Sequence, residues 1–162
     1  MVAAMFSLSN KTAVVTGGGS GIGQAIAEVF ARQGAVVEVL DLSAEAAAST
    51  VERITAAGGQ AHASACDVGD GAAVAAVFEE INARRGRIDI LVNNAGVAHI
   101  GNLTSTTEAD LDRLYRINIK GVFFCAQEAV RRMVANGGGV VKNMCSIALM
   151  MGMADRRRDA RK

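Results

Sequence analysis

Between residues 11 and 146, short runs of apolar, often β-branched residues alternate with longer segments whose apolar residues recur every three or four positions. The short runs predict strands and the longer segments predict helices. Strands are predicted at residues 11–16, 36–40, 60–66, 88–93 and 140–146. The helices between them are predicted to begin near Ile22, Ser43, Val74 and Thr107 and to end near Gly34, Gly58, Gly86 and Gly137.

This alternation predicts the fold class. Strands that are apolar on both faces and are separated by helices form parallel sheets covered on each side. We therefore expect an α/β fold, a doubly wound (Rossmann-like) parallel sheet with helices on both faces. A chain of 162 residues suits one such domain, which we place at residues 1–155, followed by a basic tail at 156–162.

Composition and charge narrow the functional classes. Hydrophobic residues make up 51% of the chain and charged residues 20%, as in ordinary globular proteins. The net charge is +1, and five of the 17 basic residues fall within residues 155–162, so the domain offers no basic face for nucleic acid. No apolar run reaches the ~18 residues of a membrane span, and the start lacks a secretory signal. We expect a cytoplasmic protein that binds neither nucleic acid nor membrane.

The three cysteines are widely spaced and form no CxxC pair. Cys66, Cys125 and Cys145 therefore suggest neither a disulfide framework nor a zinc site, and we expect buried thiols. The chain has two histidines, too few for a metal triad. No metal site is predicted.

A glycine-rich turn, residues 16–23 (TGGGSGIG), lies between the first predicted strand and helix. Backbone N–H groups at such a helix start can bind a phosphate. The glycine spacing is G-x3-G-x-G rather than GxGxxG, and a flexible turn without a ligand is the alternative. Asp41 ends the second strand 18 residues after Gly23, where a carboxylate can bind ribose hydroxyls. A P-loop is excluded because no Gly-Lys-Ser/Thr follows, so dinucleotide binding is favoured.

Asp41 also indicates which dinucleotide is preferred. Its negative charge favours a free 2′-hydroxyl and repels a 2′-phosphate, and the next residue, Leu42, adds no cation. NAD is therefore predicted over NADP. A loop or helix-capping carboxylate is the alternative interpretation of Asp41.

Three motifs in this order, TGGGSGIG at 16–23, NNAG at 93–96 and NIKG at 118–121, resemble the classical short-chain dehydrogenase/reductase family. The resemblance implies pyrophosphate contacts in the glycine turn, an adenine contact at Asp67 and Val68, and a cleft lined by the NNAG segment. The cofactor-binding residues so implied are Gly17, Ser20, Gly21, Ile22, Gly23, Asp41, Leu42, Asp67, Val68, Asn93, Ala95 and Gly96. Asn93 also ends a predicted strand and Asp67 directly follows one, at the edge where such sheets bind ligands. Loop capping is the alternative role of both residues.

The family transfers a hydride between nicotinamide and an alcohol or carbonyl, using an Asn, a Ser, a Tyr and a Lys. The catalytic positions that match here are Asn118 and Ser146. Asn118 lies in a predicted helix. The alternative to a catalytic role is that its side chain hydrogen-bonds locally within that helix. Gly121 nearby indicates a local irregularity of the helix. Ser146 can hydrogen-bond a substrate oxygen. The alternative is that its side chain only caps the backbone at the end of the strand.

The sequence departs from the family at the general acid/base, a Tyr in Tyr-x-x-x-Lys. The chain contains no such pair, and its single tyrosine is Tyr115. Family spacing from Ser146 places Asp159 at the tyrosine position. We therefore expect a C-terminally truncated or frame-shifted product, with a sheet incomplete at its C-terminal edge and part of the usual homo-oligomer interface missing.

Together these features predict an NAD(P)-dependent oxidoreductase that acts on a small alcohol or ketone and has an incomplete active site in this chain. The alternative is a catalytically silent NAD-binding or subunit-pairing fragment. An epimerase of the extended family is disfavoured because its glycine turn is usually spaced G-x2-G-x2-G.

Overall fold

A computed structural model describes residues 6–145. Its five strands form one parallel sheet in the order β3-β2-β1-β4-β5. The strands are β1 (Thr12–Thr16), β2 (Val36–Asp41), β3 (Gln60–Ala65), β4 (Ile90–Asn93) and β5 (Val140–Asn143). Ser146, the last residue of the predicted fifth strand, and the tail at 156–162 lie outside the described residues.

Helices cover both faces of this sheet. They are α1 (Gly21–Arg32), α2 (Ala44–Ala56), α3 (Gly71–Arg85), α4 (Glu108–Tyr115) and α5 (Gly121–Ala135). The residues of α1 and α2 pack on one face, and those of α3 and α5 pack on the other. The doubly wound α/β fold predicted from the sequence is confirmed.

A π turn at Arg116–Lys120 joins α4 to α5. The sequence predicted one long helix here, with an irregularity near Gly121. The structure confirms the irregularity and places it immediately before that glycine.

Local signals set the helix ends. The Ser43 side chain accepts a hydrogen bond from the Ala46 N–H, as its predicted N-cap role requires. Thr107 and Asp110 form the predicted capping box, in which the side chain of each residue accepts a hydrogen bond from the backbone N–H of the other. Gly86 ends α3 with φ +71°, a left-handed conformation that glycine adopts at little cost.

Two apolar layers hold the sheet between the helices. Phe78, Ile81 and Leu91 are fully buried on the α3 and α5 side, and Val39 and Ile54 are buried on the α1 and α2 side. Full burial of such side chains contributes about 1.5–3 kcal/mol each. All five residues of β1 are buried, which explains why the three residues between Thr12 and Thr16 are all apolar. The four residues of β5 are exposed, so Lys142 is accommodated there.

The strand order positions the site. β1 lies between β2 and β4, so the chain turns back across the sheet between β3 and β4. In open parallel sheets, ligands bind beyond the carboxyl ends of the strands at such a switch point. The glycine turn follows β1 and the NNAG segment spans the end of β4, so both meet there.

Candidate cofactor-binding site

A cleft of ≈ 460 Å³ lies beyond the carboxyl ends of β1 to β4. Ten of the twelve predicted cofactor-binding residues line it: Gly17, Ser20, Gly21, Ile22, Asp41, Leu42, Asp67, Val68, Ala95 and Gly96. A second cavity of ≈ 600 Å³ borders α1 and α2 and contains none of the predicted residues. The smaller cleft is therefore the candidate site.

Gly23 supports the glycine turn and does not line the cleft. A Cβ atom on Gly23 would lie 2.1 Å from the carbonyl oxygen of Gly17 and 2.5 Å from Nδ2 of Asn94. No side chain fits at position 23. Because Gly23 has no side chain, α1 can begin in contact with the turn that precedes it.

Thr16 and Asn94 join the glycine turn to the end of β4. Oγ1 of Thr16 accepts hydrogen bonds from the backbone N–H groups of Asn94 and Ala95, each at 3.0 Å. Nδ2 of Asn94 donates to the carbonyl oxygens of Thr16 (3.1 Å) and Gly17 (3.0 Å). Both residues belong to the motifs TGGGSGIG and NNAG, but the sequence predicts no role for either.

The start of α1 can receive an anion. Its N-cap residue, Ser20, makes no side-chain capping hydrogen bond, and the first turn has no acidic residue. Within residues 6–145, no side chain accepts a hydrogen bond from the N–H groups of Gly21 or Ile22. Such N–H groups and the helix dipole favour a phosphate. The residues here thus fit the pyrophosphate of a dinucleotide.

Asp41 is fixed beside this turn by two backbone N–H groups. Oδ2 accepts from Gly19 at 2.9 Å and Oδ1 accepts from Ser43 at 3.2 Å. Each carboxylate oxygen keeps a second lone pair that can accept from a hydroxyl. Asp41 can therefore hold a vicinal diol while Leu42, which is 75% exposed, adds an apolar edge to the cleft.

Asp67 forms another wall of the cleft and is also held by two donors. Oδ1 accepts from the Gly69 N–H at 2.8 Å, and Oδ2 accepts from Nη1 of Arg116 at 2.8 Å. The hydrogen bond from Arg116 is the main cause that holds the pKa of Asp67 below its usual range. No sequence motif pointed to Arg116, because its approach to Asp67 depends on how the π turn packs.

The thiol of Cys66 lines the cleft beside Asp67. Burial, and then the negative charges of Asp67 and Asp70, raise the pKa of Cys66 to about 11. The thiol is therefore neutral near pH 7. Cys66 and Cys125 are buried as predicted, whereas Cys145 is exposed, so the prediction for that cysteine was wrong.

Asn118 lies in the π turn and bonds to the segment after β4. Its Oδ1 accepts from the Val97 N–H and its Nδ2 donates to the Val97 carbonyl, both at 2.9 Å. The alternative of local bonding within the helix does not describe this side chain. Ser146, the other predicted catalytic residue, lies outside the described residues.

Asn93 is 3% exposed and does not line the cleft. Its Nδ2 donates to Oδ1 of Asn143 at 2.9 Å. The side chain thus joins β4 to β5 near their carboxyl ends, and its neighbour Asn94 lines the cleft instead.

Two further findings concern residues 6–145. None of the helices in this range combines the length and the hydropathy of a transmembrane span. In the same range, no three His, Cys, Asp or Glu side chains are grouped so that they could hold a metal ion.

Comparisons with known proteins agree with this architecture. The family model described as short chain dehydrogenase matches residues 11–157. D-threitol dehydrogenase of Mycolicibacterium smegmatis is 40% identical over 148 residues, which cover 91% of this chain and 57% of that protein. Sorbitol dehydrogenase of Cereibacter sphaeroides is 42% identical over 148 residues, with the same coverages of 91% and 57%.

A solved structure of 7α-hydroxysteroid dehydrogenase, in complex with NADH and 7-oxo glycochenodeoxycholic acid, superposes with a TM-score of 0.87 at 36% identity. The match covers 93% of this chain and 59% of that one. The chain thus spans somewhat less than three fifths of the length of the two curated relatives named above. The motifs, the sheet order and these matches together show that the chain belongs to the short-chain dehydrogenase family.

Proposed function

We propose that the cleft binds NAD and that the whole protein is an NAD-dependent oxidoreductase acting on a small alcohol or ketone. The observation that carries this proposal is the position of Asp41. Its carboxylate accepts a hydrogen bond from Gly19 inside the glycine turn. A ribose site and a pyrophosphate site therefore adjoin in one hydrogen-bonded unit.

The preference for NAD over NADP rests on charge. A 2′-phosphate bound beside Asp41 would bring two anions together, which is unfavourable in a partly buried cleft. Among the residues that line the described cleft, the only cation is Arg116, and it is paired with Asp67. The described cleft thus has no unpaired arginine next to Asp41 that could neutralise a 2′-phosphate.

The predicted site residues receive specific roles in this proposal. Gly17 to Ile22 contact the pyrophosphate, while Gly23 and Asn93 support the surrounding backbone. Asp67 and Val68 lie beside the adenine, and Ala95 and Gly96 border the rest of the dinucleotide. When bound, the nicotinamide supplies the group that accepts or donates a hydride. Asn118 positions the loop at Val97, and Ser146 hydrogen-bonds the substrate oxygen.

A second candidate is a catalytically silent NAD-binding or subunit-pairing protein. The observation in its favour is that these 162 residues contain no Tyr-x-x-x-Lys pair. In the family, that pair supplies the proton to the developing alkoxide. Both candidates share the cofactor site, so a binding assay and an activity assay separate them.

The test begins with calorimetric titration of the purified chain with NAD⁺ and with NADP⁺. We expect NAD⁺ to bind at least about tenfold more tightly, and Asp41→Asn to reduce that preference because it removes the charge and keeps the shape. A folded chain that binds neither dinucleotide would contradict the proposal.

An assay of NAD⁺ reduction with small polyols and secondary alcohols follows, on this chain and on a version extended through a Tyr-x-x-x-Lys motif. Turnover by either supports the oxidoreductase. Tight NAD⁺ binding without turnover in both, in preparations whose circular dichroism shows a folded α/β protein, supports the silent alternative.

A further inference from the structure

Arg116 reaches into the cleft from the first position of the π turn. Its Nη1 lies 2.8 Å from Oδ2 of Asp67, and the two side chains are 45% and 34% exposed. Ion pairs between side chains this exposed contribute little to the stability of a fold. Stability of the fold therefore does not account for the position of Arg116, and we consider its effect on a ligand bound in the cleft.

Gly69 provides the surface on which Arg116 rests. A Cβ atom on Gly69 would lie 2.9 Å from Cζ and 3.0 Å from Cγ of Arg116, and closer still to Nη1. The guanidinium and its aliphatic stem thus lie directly against the Gly69 backbone. Any side chain at position 69 would displace them.

Asp67, Gly69 and Arg116 therefore form one connected unit, the Asp67–Gly69–Arg116 unit. The Gly69 N–H fixes Oδ1 of Asp67 and the guanidinium fixes Oδ2. Each oxygen keeps one lone pair, so the carboxylate can still accept a hydrogen bond from a ligand. Arg116 also favours the ionised carboxylate, which makes Asp67 a pure acceptor.

The surroundings of this unit suit a flat heteroaromatic ring. Val68 and Ile117 line the same cleft as Asp67 and Arg116, so two apolar side chains adjoin the ion pair. A guanidinium is planar and can lie against an aromatic face. A base that carries an exocyclic amino group can donate to the carboxylate edge while its faces contact the apolar walls.

We propose that Arg116 is a positioning residue for the adenine base: it holds the Asp67 carboxylate so that the carboxylate accepts from the 6-amino group. This inference rests on the proposed binding of NAD in the cleft. Its specific consequence is selectivity. Hypoxanthine presents an oxygen at position 6, so the carboxylate that Arg116 fixes there disfavours it.

The test compares three probes by calorimetry: NAD⁺, nicotinamide hypoxanthine dinucleotide and nicotinamide mononucleotide. For Arg116→Ala we expect a loss of about tenfold in NAD⁺ affinity, because a carboxylate that is no longer held in place weakens the charge-assisted hydrogen bond between Asp67 and the 6-amino group. Affinity for the hypoxanthine dinucleotide should fall less, so the ratio between the two dinucleotides moves toward one. Affinity for the mononucleotide, which has no adenine, should stay unchanged.

Gly69→Ala is the matched second variant, because it keeps every charge and displaces the guanidinium sterically. We expect it to lower the ratio in the same direction. Arg131→Ala removes an arginine paired with Glu128 on α5, and we expect it to leave the ratio unchanged. Thermal melts of all variants establish that each is folded.

Two results would overturn the inference alone: wild-type selectivity in both Arg116→Ala and Gly69→Ala, or tighter NAD⁺ binding once Arg116 is removed. The latter would mean that the ion pair competes with the base. Failure of the wild-type chain to bind NAD⁺ would instead overturn the proposed function together with this inference.

Discussion

Asn118 binds Val97 through both atoms of its side-chain amide, accepting from the backbone N–H and donating to the carbonyl, each at 2.9 Å. One side chain thus pairs with a peptide unit as a neighbouring strand would. The π turn is thereby joined to the segment after β4. The cleft-lining residues Val97 and Ile117 belong to the two segments that this pair connects.

Asn118→Ala should destabilise the chain by about 1–3 kcal/mol, because two partly buried hydrogen bonds are lost and the Val97 groups lose their partners. Urea unfolding followed by circular dichroism measures the change. Asn136→Ala is the control, since Asn136 is exposed and its contact with Gly86 is long, at 3.5 Å. Equal stability of both variants would show that the Asn118 pair is not needed.

Gly23→Ala should destabilise the chain by about 3 kcal/mol or more and abolish NAD⁺ binding. The new methyl group would overlap the Gly17 carbonyl, and both backbones are packed too tightly to yield. Gly58→Ala is the control. Gly58 has φ +82° and open space around it, so only about 1 kcal/mol of backbone strain is expected there, with NAD⁺ binding intact.

The fully buried Glu38 on β2 is ion-paired with two arginines of α3. Nη2 of Arg84 lies 3.0 Å from Oε2, and Nε of Arg85 lies 2.6 Å from Oε1. Arg85→Ala should cost about 3 kcal/mol, since it leaves a buried carboxylate with less compensation. Arg53→Ala breaks an exposed pair with Glu28 and should leave the unfolding midpoint unchanged. Equal midpoints for both variants would contradict this.

Asp89 should make the chain sensitive to acid. Burial acts to raise the pKa of its carboxyl, but hydrogen bonds from Arg87 and from the Thr12 backbone N–H outweigh burial and hold the pKa below its usual range. A carboxyl with a lowered folded-state pKa contributes stability above its unfolded pKa of about 4 and loses it as the pH falls further.

Asp89→Asn should therefore be less stable at pH 7 and should lose less stability than the wild type between about pH 4 and pH 2. Melting temperatures across that range measure the effect. Asp112→Asn, at an exposed position on α4, serves as the control. A wild-type acid profile in the Asp89 variant would show that other carboxyls determine it.

The buried thiols should react slowly with iodoacetamide. Burial is the main cause that raises the pKa of Cys66 to about 11 and of Cys125 to about 12, so thiolate is scarce near pH 8. Mass spectrometry of the native chain should find Cys145 alkylated first. Rapid labelling of Cys125 in the folded chain would contradict the packing described for α5.

Local sequence signals were sufficient for most of the fold. Apolar alternation located the strands, and short polar signals located the helix ends at Ser43, Thr107 and Gly86, which the structure confirms. β4 begins two residues later than predicted and β5 ends three residues earlier, because periodicity alone does not determine where ladder pairing begins or ends.

The site was only partly accessible from the sequence. Motif positions identified most of the residues that line the cleft, while their roles in binding and catalysis stay predictions. The sequence did not reveal the bonds of Thr16 to Asn94 or of Arg116 to Asp67. These pairs are 78 and 49 residues apart along the chain, and only the packed sheet and π turn bring them together.

The π turn closes its hydrogen bonds over five residues instead of four, so it accommodates one residue more than a regular helix would. An extra residue in regular α-helix would rotate everything after it by about 100°. The π turn absorbs that residue locally, so Cys125, Ala129 and Met133 on α5 keep facing the core. Deleting one residue between 116 and 120 should therefore restore a regular helix and leave α5 packed on the sheet, while the side chains that the turn presents to the cleft change.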